Sequence, residues 1–168
     1  ELMPAEAEVH GLVALMEIQA SRSAARTMPS GEPILLLEQD RSRWDQLMIR
    51  RGLAALTRAE ELGGRFGAYA LQAAIAACHA RARSAAETNW EQIAALYGVL
   101  AEREPSAIVE LNRAVAVAMA FGPQAGLDII DALIADGALA GYHLLPSVRA
   151  DLLGKLGRKK EAGAELER

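Results

Sequence analysis

The chemically reactive side chains of this sequence are Cys78 and three histidines, His10, His79 and His143. Cys78 and His79 are neighbours in a stretch with helical periodicity, and adjacent side chains on a helix point about 100° apart, so they do not face each other. The histidines are scattered and lack the spacing of a metal site such as HExxH or CxxC. We therefore expect a buried structural cysteine, no metal site and no enzymatic activity.

Nucleotide or cofactor binding is not indicated either. Gly63 and Gly64 form a glycine pair between two predicted helices. A phosphate-binding glycine loop instead follows a strand. We expect no cofactor.

A cluster of polar side chains surrounds Trp44 and comprises Asp40, Arg41, Arg43, Trp44 and Asp45. Arg and Trp are typical anchors of protein interfaces, which favours a docking surface. The alternative is a structural corner, in which Asp40 pairs with Arg43 and Trp44 fills the core. We predict the structural arrangement for Trp44 and Arg43, and an exposed position for Arg41.

A second group of polar residues interrupts an otherwise apolar region. Its members are Asn112, Arg113, Tyr142, His143, Arg149 and Asp151. Buried polar groups need hydrogen-bond partners, so bonds between helices explain these residues as well as a ligand groove does.

The elements that position these residues are predicted to be helices. Hydrophobic residues make up 52% of the sequence and aromatic residues only 4%, which favours close-packed helices over a sheet. A first helix is predicted over 8–26, with one apolar stripe formed by Val9, Leu12, Val13, Met16 and Ala20. Further helices are predicted over 42–62, with Ser42 as N-cap and Leu47 among the buried residues, and over 68–82.

The second half of the chain reads as a series of helices separated by breaks. Thr88 and Glu91 have the spacing of a capping box, and Pro105 separates the helix that follows from the next. Gly122 and Gly157 lie 35 residues apart, close to the ~34-residue period of a tetratricopeptide repeat. We predict an all-α fold of antiparallel helical hairpins in a tetratricopeptide-like, right-handed array, with a generic helical hairpin as the alternative. The predicted domains are an N-terminal helical subdomain, 1–83, and tetratricopeptide-like repeats, 84–168, truncated at the C-terminus.

Charge and composition restrict the partners. The formal net charge is −4, so we expect that these residues do not bind promoter DNA. The single cysteine excludes an internal disulfide and fits a reducing cytoplasm. No apolar run reaches the ~20 residues of a membrane span, so no membrane partner is expected.

Four blocks of the sequence resemble a known family. They are LLLEQDRSRWD (35–45), YALQAAIAACHARA (69–82), ELNRAVAVAMAFGPQAGL (110–127) and YHLLPSVRADLLGKLGR (142–158). They are similar to the C-terminal extension of a group of bacterial extracytoplasmic-function sigma factors, which carry a helical domain and tetratricopeptide-like repeats after the two sigma regions. The resemblance extends from about Glu8 to Arg168.

This resemblance implies a role in transcription initiation by RNA polymerase. The implied partners are the sigma regions of the same full-length protein and RNA polymerase, with DNA contacted only through regions absent from this sequence. The implied site is an interaction surface without catalytic residues. A stand-alone tetratricopeptide-type adaptor that binds a peptide or a small ligand is the alternative.

Overall fold

The computed structural model describes residues 3–137 and 139–167, and all regular structure in them apart from one isolated β-bridge between Thr27 and Pro33 is helical. The helices are α1 (Ala7–Ala20), α2 (Gln46–Glu61), α3 (Ala68–Arg81), α4 (Trp90–Arg103), α5 (Ala107–Phe121), α6 (Pro123–Ala135), α7 (Leu144–Lys155) and α8 (Lys159–Leu166). Short 3₁₀ turns occupy Ser23–Ala25, Leu36–Glu38, Arg41–Arg43 and Ala85–Glu87. The predicted all-α class is confirmed.

The chain divides into two compact units, Glu1–Asn89 and Trp90–Arg168. The first unit contains α1 to α3 and the second contains α4 to α8. The sequence had indicated a boundary between residues 83 and 84, in the segment that connects α3 to α4.

In the first unit, α1 packs against both α2 and α3. The core residues are mainly small or aliphatic: Ala14, Ile18, Leu56, Ala59, Ala70, Ala73 and Ala77. A Cβ atom on Gly11 would lie 2.7 Å from the backbone nitrogen of Ala70, and one on Gly52 would lie 2.6 Å from Cγ1 of Ile18. Glycine at these two positions therefore allows α1 to approach α3 and α2 more closely than a larger residue would permit.

The start of α2 differs from the prediction. Oδ1 of Asp45 accepts hydrogen bonds from the amides of Leu47 (2.8 Å) and Met48 (3.0 Å), so Asp45 is the N-cap. Ser42, predicted as the cap, lies inside the 3₁₀ turn Arg41–Arg43. That turn separates Ser42 from the helix start.

Two other predicted helix ends also shift. Helix α1 ends at Ala20 rather than at Arg26, and the chain continues as a 3₁₀ turn; at this end the hydroxyl of Ser21 donates to the carbonyl of Ile18 (2.6 Å). Helix α4 begins at Trp90, so Thr88 is not its N-cap; the hydroxyl of Thr88 instead accepts a hydrogen bond from Arg41 (3.3 Å).

The second unit contains two helix pairs whose connections include a glycine, as the sequence indicates. Gly122, between α5 and α6, has φ 102°, and Gly157, between α7 and α8, has φ 76°. Side chains rarely tolerate such angles, so glycine permits both turns. The core of this unit is formed by Leu111, Ala114, Ala118, Leu127, Ile130, Leu145, Leu152 and Leu153.

No helix in residues 3–137 and 139–167 is both long enough and apolar enough to cross a membrane.

Candidate interaction site

Trp44 is the centre of a buried corner in the first unit. Its side chain is 3% exposed and packs with Ala25 and Ile49. The Cζ atoms of Arg41 and Arg22 lie 4.9 Å and 5.8 Å from the centre of the indole ring, within cation–π range. Trp44 is therefore a core residue, as the structural alternative predicts, and is not an exposed anchor.

Arg41 connects this corner to the C-terminal end of α3. Its guanidinium donates hydrogen bonds to the carbonyls of His79 and Ala82 (3.0 Å for Ala82) and to the hydroxyl of Thr88. A cation at a helix C-terminus is stabilised by the carbonyls that lack helical partners. The prediction of an exposed Arg41 is wrong. Positions three apart eclipse each other in a 3₁₀ turn, so Arg41 lies on the same side as Trp44.

Arg43, in contrast to Arg41, is exposed. The carboxylate of Asp40 accepts hydrogen bonds from the amide (2.9 Å) and the hydroxyl (2.7 Å) of Ser42, and these bonds lower the pKa of Asp40. The described residues contain no ion pair between Asp40 and Arg43. The predicted pairing of Asp40 with Arg43 is therefore wrong: Ser42 supplies the hydrogen bonds to the carboxylate, and the charge of Arg43 adds only a smaller lowering of the Asp40 pKa. Asp45 is exposed and caps α2.

The environment of Cys78 and His79 keeps both side chains neutral near pH 7. Burial, together with the charges of Arg41 and Arg22, lowers the pKa of His79 to about 4. Burial raises the pKa of the Cys78 thiol, an effect that the charge of Arg81 partly opposes. A neutral buried thiol is a weak nucleophile.

Two more arginines belong to the corner, and the sequence analysis did not select them. Arg22 and Arg26 both donate to the side-chain oxygen of Gln19, and Arg26 also donates to its backbone carbonyl (2.7 Å). Burial lowers the pKa of Arg22, and the nearby charges of Arg26 and Arg41 lower it further. In the sequence, the signal that could have identified these two residues is their spacing, four positions apart, at the predicted end of the first helix.

The second unit brings together only part of the predicted groove. Tyr142 and His143 line a cleft of about 530 Å³, and their ring centres are 5.4 Å apart. Arg149 binds Glu165, which also lines this cleft, and donates to Asp131 (2.8 Å). These bonds join α7 to α8 and α6, so the role of Arg149 in the structure is to connect helices.

The other three residues of the predicted groove do not line this cleft. Arg113 pairs with Glu110 (2.8 Å) and Asp151 pairs with Lys155 (2.7 Å), each within its own helix. Asn112 is exposed on α5. Prediction of a single groove from these residues therefore fails, because local ion pairs on the helix surface account for two of them.

The first unit contains a larger cavity of about 700 Å³ between α1 and α2. Val9, Val13 and Met16 belong to the stripe that the sequence indicates for α1, yet they are 37%, 42% and 61% exposed. Leu47, predicted to be buried on α2, is 57% exposed. The buried residues of α1 are His10, Gly11, Ala14 and Ile18, so the predicted stripe is not the side of α1 that packs in the core.

Comparisons with known proteins place part of this chain in context. Residues 1–60 match the model of DUF6596, described as a family of unknown function. Over 167 residues the chain is 44% identical to a protein of Rhizobium meliloti (strain 1021) named "Uncharacterized protein R00370". This alignment covers 99% of the chain and 39% of that protein, so the chain spans about two fifths of the length of the curated relative it matches. No solved structure is significantly similar to the chain.

The described residues hold no group of three or more histidine, cysteine, aspartate or glutamate side chains that could bind a metal ion.

Proposed function

We propose that this chain is the C-terminal regulatory and protein-interaction part of an extracytoplasmic-function sigma factor. In this proposal it acts in the cytoplasm, in transcription initiation, by contacting sigma regions of the same protein, RNA polymerase or a regulator. The observation that carries the proposal is the resemblance of four sequence blocks, between 35 and 158, to the extension of that family. The all-helical structure agrees with the fold that the resemblance implies.

The structure also supports a binding role in general terms. Two large apolar side chains of α1, Val9 and Val13, are exposed beside a cavity, and exposed apolar patches commonly mark interaction sites. The net charge of −4 argues against these residues as the DNA-binding part of such a protein.

The experiment is to purify the complete protein that carries this chain and to mix it with core RNA polymerase. We expect a stable complex and initiation in run-off transcription, and we expect removal of residues 1–168 to change the transcript yield severalfold. Failure of the complete protein to bind core polymerase would refute the proposal.

A tetratricopeptide-type adaptor is the second candidate. The observation that favours it is the cleft of about 530 Å³ beside Tyr142 and His143, which is large enough for a short peptide segment or a small ligand. An adaptor would leave core polymerase unbound in the same experiment, so a single measurement distinguishes the two candidates.

A further inference from the structure

Arg22, Arg26 and Arg41 form an arginine cluster at the corner around Trp44. The guanidiniums of Arg22 and Arg41 both lie over the indole ring, with Cζ 5.8 Å and 4.9 Å from its centre. Arg26 adjoins Arg22, because both side chains donate to the same oxygen, Oε1 of Gln19. Burial and then the charges of Arg26 and Arg41 lower the pKa of Arg22, as expected for guanidiniums that lie close together.

The arginine cluster has little negative charge to balance it. Among the described residues, no carboxylate forms an ion pair or a hydrogen bond with any of its three members. The carboxylate of Glu87 lies close enough to Arg41 to oppose in part the lowering of the Arg41 pKa by burial. Arg22 and Arg26 therefore carry their two positive charges without an anionic partner in the described part of the chain.

An uncharged oxygen occupies the point on which Arg22 and Arg26 converge. Oε1 of Gln19 accepts from Nη2 of both arginines (3.1 Å for Arg26), and Nη2 of Arg26 also donates to the backbone carbonyl of Gln19 (2.7 Å). A guanidinium has five N–H donors in a fork that matches the oxygens of a carboxylate or a phosphate. An anionic oxygen at this point would add the attraction of opposite charges to the same hydrogen bonds.

The arginine cluster can be reached from solvent and has unused donors on its inner side. Arg26 is exposed, and Arg22 and Gln19 are half-buried, so a small anion can approach this side of the corner. On the inner side, Nε of Arg41 and Nε1 of Trp44 are buried, and no described residue accepts a hydrogen bond from them. Buried donors normally have acceptors, so these two N–H groups are a second sign that the corner is short of acceptors.

We propose that the arginine cluster binds a phosphate group, either as free phosphate or as the phosphate monoester of a small molecule. Arg22 and Arg26 bind its oxygens in place of the Gln19 side chain, and Arg41 adds positive charge nearby. A phosphate monoester carries a charge of about −1.5 to −2 at pH 7, which matches two unbalanced guanidiniums, whereas a carboxylate matches only one.

A small ligand is favoured over a nucleic acid because the chain has a net charge of −4, which repels a long polyanion. The inference goes beyond the proposed function, which concerns contacts with proteins, and does not depend on it.

The test is isothermal titration calorimetry of the chain with inorganic phosphate and, separately, with glycerol phosphate. The ionic strength is held constant with chloride, because salt screens exposed charges. We expect saturable binding to one site, and the tighter of the two compounds identifies free phosphate or a monoester as the ligand. Acetate, which carries a single charge, should bind at least about tenfold more weakly.

Two arginine variants locate the site. Arg26→Gln should weaken the binding of phosphate at least about tenfold, because it removes one of the two charged donors from an exposed position. Arg58→Gln makes the same change of charge on a side chain that is 49% exposed and lies about 18 Å along α2 from its first residue, Gln46. This matched control should leave the affinity unchanged within about twofold.

Gln19→Glu provides the reciprocal test, because it places a carboxylate where the phosphate is expected. We expect this variant to unfold at a higher temperature than the parent chain without phosphate, and to bind no phosphate. A ligand that binds only the folded state raises the unfolding temperature, so phosphate should raise it for the parent chain and leave it unchanged for Gln19→Glu.

Four outcomes would overturn the proposal: no saturable binding of either phosphate compound, equally tight binding of acetate, an unchanged affinity after Arg26→Gln, or undiminished binding by Gln19→Glu. An equal loss of affinity in Arg58→Gln would also overturn it, because the binding would then follow net charge rather than this site. The assay contains no polymerase, so its failure is distinguishable from failure of the complete protein to bind core polymerase.

Discussion

Replacement of Arg41 by methionine should destabilise the first unit by about 3 kcal/mol. The substitution keeps an unbranched apolar stem but leaves the carbonyls of His79 and Ala82 and the hydroxyl of Thr88 without their donor. Each buried polar group left unsatisfied costs about 1–3 kcal/mol, and loss of the cation–π contact with Trp44 adds about 0.5–2 kcal/mol. Release of the guanidinium from a partly buried position offsets part of this sum.

The matched control is Arg43→Met, because Arg43 is exposed three positions from the N-terminal end of α2. We expect it to change the free energy of unfolding by less than about 0.5 kcal/mol. Urea unfolding followed by far-ultraviolet circular dichroism measures both values. Arg41→Lys, which keeps the charge but not the planar fork of donors, should fall between them. The reasoning is refuted if Arg41→Met is as stable as the parent chain, or if Arg43→Met loses as much.

Three further predictions concern the buried residues. Trp44→Ala should cost about 3–5 kcal/mol in the same urea experiment, and a loss below about 1 kcal/mol would contradict its core position. Because the pKa of His79 is lowered to about 4, the unfolded chain binds more protons between pH 6.5 and 4, so stability should fall by about 3 kcal/mol as pH drops through that window. His79→Gln should remove that dependence, and an identical pH profile would contradict it. Arg149→Met should cost about 2–4 kcal/mol, since Glu165 is buried, whereas the exposed Lys155→Met should cost less than about 0.5 kcal/mol; equal thermal unfolding of the two variants would argue against the connecting role.

Hydrophobic periodicity predicted the helices best in segments whose composition strongly favours helix. The segment 68–82 is rich in alanine, and α3 occupies Ala68–Arg81. The turns at Gly122 and Gly157 were predictable because positive φ angles favour glycine. For α1, however, an apolar pattern on nearly all sides does not determine which side is buried. Gly11 and Ala14 allow close approach between helices, and they face the core together with Ile18, whereas Val13 and Met16 stay exposed.

The polar corner was predictable in composition but not in arrangement. The sequence indicates that Trp44 is buried near several charges, and the structure agrees. It does not indicate the 3₁₀ turn Arg41–Arg43, which decides that Arg41 turns inward and Arg43 outward. The acceptors of Arg41 are carbonyls about 40 residues later, and backbone carbonyls have no signature in a sequence.

The contact between Glu8 and the start of α3 has a dynamic consequence. Oε2 of Glu8 accepts a hydrogen bond from the backbone amide of Tyr69 (3.1 Å), 61 positions later, and a Cβ atom on Gly67 would collide with this carboxylate. The first amides of a helix have no acceptor within it, so this bond persists only while α1 is seated against α3. The hydrogen-exchange rate of that one amide thus reports the opening of α1. A partner that binds the exposed residues Val9, Val13 and Met16 of α1 should slow this exchange without touching Tyr69, so the amide reports whether such a partner is bound.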